Sequence, residues 1–174
     1  ELVQWLIQYF QLTVNDVRSD DNYVLRRTCE NGHLSLVQWL VSYFQLTIND
    51  VRTYDNCALR TSCENDHLSL TKWLTKKFHL TTIDACADNN YALRKSCANG
   101  HLSVAQWLTR RFRLKISDAR ACDSDALYGS CVRGHLSVAQ WLVTHFHLTI
   151  DDVRTNIVEE LIKNRYLSVV QWLT

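Results

Sequence analysis

The sequence contains no proline, no methionine and only four glycines in 174 residues. Because proline and glycine interrupt helices and build tight turns, their scarcity favours helices joined by short connections over a hairpin-rich sheet. No apolar run approaches the roughly 20 residues that span a bilayer, and the first residues lack the basic-then-apolar order of a signal peptide. We therefore expect an all-α protein that is intracellular, cytoplasmic or nuclear, with no membrane contact.

The cysteines argue against a secreted, disulfide-bonded protein. There are seven, an odd number, and four of them recur at one position in an apolar setting. We expect them to be reduced. Those four are Cys29, Cys63, Cys97 and Cys131.

An internal repeat of 34 residues organises the chain. Several residue types keep this step in one register, which chance does not produce. We expect a single array over residues 1–174 that belongs to a longer array, because no methionine opens it and both ends fall within helical patterns. The boundaries are a partial repeat 1–20, repeats 21–54, 55–88, 89–122 and 123–153, and a final partial repeat 154–174. The recurring series include Trp5, Trp39, Trp73, Trp107 and Trp141, then His33, His67, His101 and His135, then Asp16, Asp50, Asp84, Asp118 and Asp152.

Each repeat contains two helical patterns, a first helix and a second helix, separated by a short break. In residues 55–88 the patterns run from Cys57 to Glu64 and from Leu68 to Phe78. The other repeats place glycine at the break, which predicts a left-handed residue that ends the first helix. Asparagine before the first helix predicts an N-cap. The glycines are Gly32, Gly100 and Gly134, and the asparagines are Asn22, Asn56 and Asn90.

A Thr-x-x-Asp spacing follows the second helix, as in Thr47 to Asp50. It is the spacing of a capping box, in which side chain and backbone satisfy the free amides at a helix start. It predicts a short helical turn rather than a pair of strands. Lys115 replaces the threonine in one copy and should weaken the box there.

The residues from Tyr91 to Leu108, with Asn-Gly-His-Leu-Ser at their centre, resemble the ankyrin repeat. The resemblance implies an ankyrin-like helical-repeat solenoid with a concave first-helix face for a partner protein. Two departures matter. Proline is absent from every copy, and arginine occupies the place of the family's turn-bracing histidine at Arg26, Arg60 and Arg94. We therefore expect short helical turns in place of the β-hairpin fingers.

Positions that vary between repeats while the core series stays constant predict the partner-binding residues. They lie on the first helix or just before it. For any one position the competing interpretation is that it varies because nothing selects it. The predicted residues are Tyr23, Arg27, Glu30, Tyr54, Thr61, Glu64, Asp88, Tyr91, Lys95 and Asp125.

Charge is uneven along the chain. Residues 72–115 carry nine basic and two acidic side chains, although the whole chain has a net charge of +1. The basic residues near the ends of successive second helices predict a patch for an acidic protein segment first, and for RNA or another nucleic acid second. The simpler interpretation, which we favour, is that they complement the helix dipole. These residues are Lys76, Lys77, Arg110, Arg111 and Arg113.

Other classes of function have weaker support. The Cys–His pairs at i, i+4 resemble metal-ligand spacing, but each pair is split by the glycine break and provides only two of the four ligands that zinc needs. No catalytic or phosphate-binding motif occurs. We expect no enzyme activity, no metal, no cofactor and no small-molecule substrate. The regular tryptophans indicate core packing rather than a base-stacking platform.

A structural subunit of a larger assembly is the remaining alternative to a binding scaffold. It rests on apolar residues such as Leu2 and Leu6 that something must cover.

Overall fold

The computed structural model describes residues 2–152, 157–163 and 166–173, and these contain helices and turns but no β-strand. The all-α prediction is confirmed. The predicted boundary between residues 153 and 154 lies outside the described ranges. The α-helices are α1 (Leu2–Tyr9), α2 (Val14–Glu30), α3 (Leu34–Tyr43), α4 (Ile48–Glu64), α5 (Leu68–Lys77), α6 (Thr82–Ala85), α7 (Ala87–Ala98), α8 (Leu102–Phe112), α9 (Ile116–Ala119), α10 (Ala121–Val132), α11 (Leu136–Phe146), α12 (Ile157–Lys163) and α13 (Leu167–Leu173), with a 3₁₀ turn at Ile150–Asp152.

A turn of left-handed backbone interrupts α2, α4, α7 and α10. In α2, Asp20, Asp21 and Asn22 have φ of 49°, 52° and 58°. Aspartate and asparagine tolerate this conformation better than other non-glycine residues. The first helix of each repeat is the part of α2, α4, α7 or α10 that follows the turn. The left-handed turns are Asp20–Asn22, Tyr54–Asn56, Asp88–Asn90 and Cys122–Ser124.

The N-cap prediction for the asparagines is wrong. An N-cap residue is extended and accepts a hydrogen bond from the first turn, whereas Asn22, Asn56 and Asn90 are left-handed. Their side-chain oxygens are buried and accept no hydrogen bond from the described part of the protein. The chain therefore enters the first helix through the left-handed turn, not through a capped extended residue.

The predicted left-handed residue at the end of the first helix is confirmed. Gly32 has φ of 71°, and the next amide, that of His33, donates to the Thr28 carbonyl at 3.2 Å. This arrangement is a Schellman motif. Gly100 has no room for a side chain, because a Cβ there would lie 2.6 Å from Nδ1 of His135 in the next repeat. Asp66 takes the same left-handed conformation, with φ of 62°, where the other repeats have glycine.

Capping boxes form at the predicted threonines. In the box that starts α4, the Thr47 amide donates to Asp50 Oδ2 at 2.7 Å and the Thr47 hydroxyl donates at 3.0 Å. At Lys115 only the amide bond remains, to Asp118 Oδ2 at 2.7 Å. Short helical turns such as α6 and α9 follow these boxes in place of hairpin strands.

Leucines and cysteines at repeated positions fill the core. Each first helix buries a leucine completely, as Leu59 does, and a cysteine such as Cys63 beside it. The tryptophans pack against this core but lie at its margin, since Trp39 is half-buried with its ring edge-on to Phe44 at 6.2 Å between centroids. Trp5 is 54% exposed. Core packing therefore describes only one side of each indole.

Candidate functional site

The ten predicted partner-binding residues all lie on first helices or on the left-handed turns before them. We call this set the first-helix face. The first helices of neighbouring repeats pack side by side, which places the residues along the array. Tyr23, Arg27, Tyr54 and Asp88 are exposed, and the other six are half-buried.

Three arginines that the sequence analysis did not assign to this face organise it. The Arg26 guanidinium lies 5.7 Å from the Tyr23 ring and 4.8 Å from the ring of Tyr54, in the left-handed turn before the next first helix. Arg60 lies 4.6 Å from the ring of Tyr91 in the same way. Such cation–π contacts fix the position of both partners. The sequence signal that could have identified these arginines is their spacing of 34 residues.

The same arginines hold the left-handed turns. Nε of Arg26 donates to the Asp21 carbonyl at 2.9 Å, and Nη2 donates to the Asp20 carbonyl at 3.0 Å. Arg94 bonds the carbonyls of Asn89 and Asp88 at 2.7 and 3.2 Å. A guanidinium has enough donors to satisfy two carbonyls at once. Arginine therefore ties the turn, as histidine does in the pattern that the sequence resembles.

Most acids on the first-helix face are paired. Arg60 forms an ion pair with Asp88 in the turn before the next first helix, and Arg94 pairs with Asp125 at 2.8 Å. The Tyr91 hydroxyl donates to Glu64 Oε2 at 2.8 Å. Burial and this bond to a carboxylate raise the pKa of Tyr91 to about 12, so its hydroxyl stays a donor. The face is therefore ordered by contacts between repeats before any partner binds.

Not every variable position is free of packing. Cys57, Ala98 and Gly129, which vary between repeats, are buried. A Cβ built on Gly129 would lie 2.8 Å from the Ala98 Cβ, so glycine is required by close helix contact. Variation between repeats therefore does not by itself mark a surface position. None of them is among the ten predicted partner-binding residues.

A ladder of arginine–aspartate pairs connects the repeats at the capping boxes. Arg18 reaches Asp50 at 2.7 and 3.0 Å, and Arg52 reaches Asp84 at 2.6 and 3.0 Å. Each aspartate also closes its own capping box. Burial disfavours the ionised form of Asp84, but the bonds from Arg52 and Thr81 outweigh it and lower its pKa.

One rung of this ladder lacks its arginine. The position holds Cys86, whose Sγ lies 3.7 Å from Asp118 Oδ1. Burial and the neighbouring carboxylate raise the pKa of this thiol to about 11. The last rung, between Arg120 and Asp152, is bidentate again at 2.6 and 3.2 Å. The ladder joins the repeats, and each carboxylate in it accepts hydrogen bonds from the protein itself.

The five predicted basic-patch residues are exposed at equivalent ends of two neighbouring second helices. We call Lys76, Lys77, Arg110, Arg111 and Arg113 the basic strip. Within the described ranges none of the five forms an ion pair. The second helices themselves contain no aspartate or glutamate, even in the first turns, where the helix dipole favours acids.

The Cys–His pairs have other roles. Nε2 of His67 donates to the Glu30 carbonyl of the preceding repeat at 2.8 Å, and His101 repeats this contact with Glu64 at 2.9 Å. Cys63 is fully buried, and burial raises its pKa to about 12. In the described part of the chain no group of three or more His, Cys, Asp or Glu side chains is arranged to hold a metal ion.

Stacked helical hairpins with one variable face define a helical-repeat solenoid. Residues 27–118, more than half of the chain, match the family model for ankyrin repeats in three copies. The chain belongs to the ankyrin-repeat family. Ankyrin repeats bind other proteins, and proteins built from them are typically non-enzymatic. Comparison with curated proteins gives no match. Among the described helices none has the length and apolar character needed to cross a membrane.

Proposed function

We propose that this chain is an intracellular interaction scaffold that binds a partner protein through the first-helix face. The observation that carries the proposal is Tyr54, which is 62% exposed yet held against Arg26 of the preceding first helix. Tyrosine and arginine are the side chains most enriched at binding hot spots. A preorganised aromatic anchor loses little conformational entropy when a partner binds.

Site-specific photo-crosslinking tests this proposal. We would replace Tyr54 by p-benzoylphenylalanine in the full chain and expose it to a source lysate treated with nuclease. The matched control is Tyr43, which is 49% exposed but lies on a second helix, stacked on Trp39. A defined protein that crosslinks at position 54 and not at 43 supports the first-helix face. Equal crosslinking at both positions contradicts it.

Affinity measurement with the crosslinked protein completes the test. Tyr54→Ala should weaken binding at least about tenfold, as expected for the loss of an interface hot spot. Thr53→Ala at the neighbouring half-buried position serves as the matched substitution and should have a small effect. Unchanged affinity in Tyr54→Ala would show that the partner uses another surface.

The basic strip is a second candidate surface, for an acidic segment of a partner. Its support is that five exposed cations form no ion pair within the described part of the chain and lie at the ends of helices that contain no acids. Reversing Lys76 and Arg110 to glutamate should abolish binding of an acidic partner, whereas reversing the exposed Arg133 should not. If nuclease removes everything that the strip retains, nucleic acid is its ligand.

A further inference from the structure

A cleft of about 180 Å³ opens between the second helices α8 and α11. It begins where the basic strip ends, since Arg110 belongs to both. This volume lies below the ~300 Å³ at which pockets accept drug-sized ligands, and it suits a single side chain. The residues that line the cleft are Gln106, Thr109, Arg110, Trp141 and His145.

Thr109 in this cleft carries an unused polar group. Its side chain is 3% exposed, and its hydroxyl has no hydrogen-bond partner in the described part of the chain. The equivalent hydroxyl one repeat earlier, that of Thr75, donates to the Thr71 carbonyl at 2.9 Å. Val41 and Val143 occupy the same position in other repeats. A buried hydroxyl without a partner is unfavourable, and valine at this position would avoid that cost.

The other walls of the cleft favour an anion with a short apolar stem. Among the described residues the exposed Arg110 guanidinium has only a long bond, 3.3 Å from Nε to the Gln106 carbonyl, so its remaining donors are available. Trp141 and His145 stack with their centroids 5.5 Å apart and form the apolar wall. The second helices on both sides contain no acid.

We propose that this cleft binds the carboxylate side chain of an acidic segment of a partner protein. The carboxylate accepts hydrogen bonds from the Arg110 guanidinium, and its methylene groups pack on Trp141. The Thr109 side chain turns about its Cα–Cβ bond to bring its buried hydroxyl to the cleft, where it donates to the same carboxylate. The inference rests on the basic-strip candidate for the charge of the ligand and is independent of the first-helix face. A nucleic acid fits less well, because His145 already covers a face of Trp141 on which a base would stack.

Binding of a fluorescein-labelled oligoglutamate peptide to the full chain, followed by anisotropy at low and high salt, tests the cleft. Thr109→Val should weaken binding about tenfold, the loss expected for a hydrogen bond to a charged group. Valine occurs naturally at this position in two other repeats, so the variant folds. Thr75→Val is the matched control and should leave the affinity unchanged. Arg111→Gln, in the strip but outside the cleft, should reduce the affinity about two- to threefold through charge alone.

Other outcomes overturn the proposal in separable ways. Equal effects of Thr109→Val and Thr75→Val exclude the cleft and leave the strip as a general cation surface. Absence of peptide binding at low salt excludes both the cleft and the basic strip as sites for an acidic segment. Tighter binding of an oligothymidylate of equal charge, weakened by Thr109→Val, makes the cleft a nucleic-acid site. Loss of peptide binding in Tyr54→Ala places the acidic segment on the first-helix face and removes it from the cleft.

Discussion

Replacing Asp84 by asparagine should disrupt one rung of the ladder between repeats with almost no change in shape. Asp84 is 1% exposed. Its Oδ1 accepts a hydrogen bond from Nε of Arg52 at 2.6 Å. Its Oδ2 accepts hydrogen bonds from Nη2 of Arg52 and from the Thr81 amide and hydroxyl at 2.8–3.0 Å. All four partners are donors. Asparagine places an NH₂ group, itself a donor, opposite at least one of them, so a buried donor loses its acceptor.

The expected cost of Asp84→Asn is about 2 kcal/mol in the free energy of unfolding. A broken buried ion pair costs about 3–5 kcal/mol and an exposed pair less than about 1 kcal/mol, and this pair lies between because Arg52 is partly exposed while Asp84 is not. In a chain of this size the change lowers Tm by roughly 4–8 °C. Asp118→Asn is the matched control. In the part of the chain that the structure describes, Asp118 bonds only the Lys115 amide and a distant thiol, so the cost of its replacement should be below about 1 kcal/mol.

The effect of Asp84→Asn should depend on pH in a defined direction. Bonds from Arg52 and Thr81 outweigh burial and lower the pKa of Asp84 below its ordinary 3.8. Its contribution to stability is therefore complete above pH 3.8 and is lost as pH falls through the lowered folded-state value. The difference in the free energy of unfolding between wild type and variant should be largest at neutral pH and should decrease in acid.

Urea unfolding followed by circular dichroism at neutral and acidic pH measures these differences. The reasoning is refuted if Asp84→Asn and Asp118→Asn destabilise the protein equally at neutral pH. It is also refuted if the difference in the free energy of unfolding between wild type and Asp84→Asn is the same at acidic and neutral pH. A pH-independent loss would mean that packing, not the charged rung, determines the effect.

Three further predictions concern single repeats. Thr109→Val should raise the free energy of unfolding by about 1 kcal/mol because it removes an unpartnered buried hydroxyl, whereas Thr75→Val should lower it by about 1 kcal/mol; equal effects in thermal unfolding would contradict the geometry. Asp66→Gly should stabilise the chain by about 1 kcal/mol by relieving a left-handed aspartate. Gly100→Ala should destabilise it by at least about 1 kcal/mol, since the new Cβ meets His135. A denaturant midpoint that falls in Asp66→Gly or rises in Gly100→Ala would contradict the explanation for that variant.

The fold could be predicted largely because its determinants are local. The break at Gly32 and the box from Thr47 to Asp50 join residues no more than five positions apart, so spacing alone reveals them. The prediction of asparagine N-caps is wrong for a related reason. Asn22 suits both an N-cap and a left-handed residue, and only the backbone of the whole turn, held by Arg26, decides between them.

The surfaces depended on contacts that spacing does not show. The variable positions identified the helices of the first-helix face, but not the arginines that order it, because constant residues appear structural. Arg60 and Asp88 are 28 residues apart, and Arg52 and Asp84 are 32 apart. Such pairs meet only when one helical hairpin packs on the next.

Sequence alone determined the 34-residue period, the helical hairpin in each unit and the family, because a repeated local pattern forms the same structure wherever it occurs. Tertiary structure alone decided which copies of a repeated residue differ in environment. Thr75 and Thr109 are the same residue at the same position of two repeats, yet within the described ranges only the Thr75 hydroxyl has a hydrogen-bond partner. The reason is that a side chain's free energy depends on the atoms around it, and those belong to neighbouring turns and repeats.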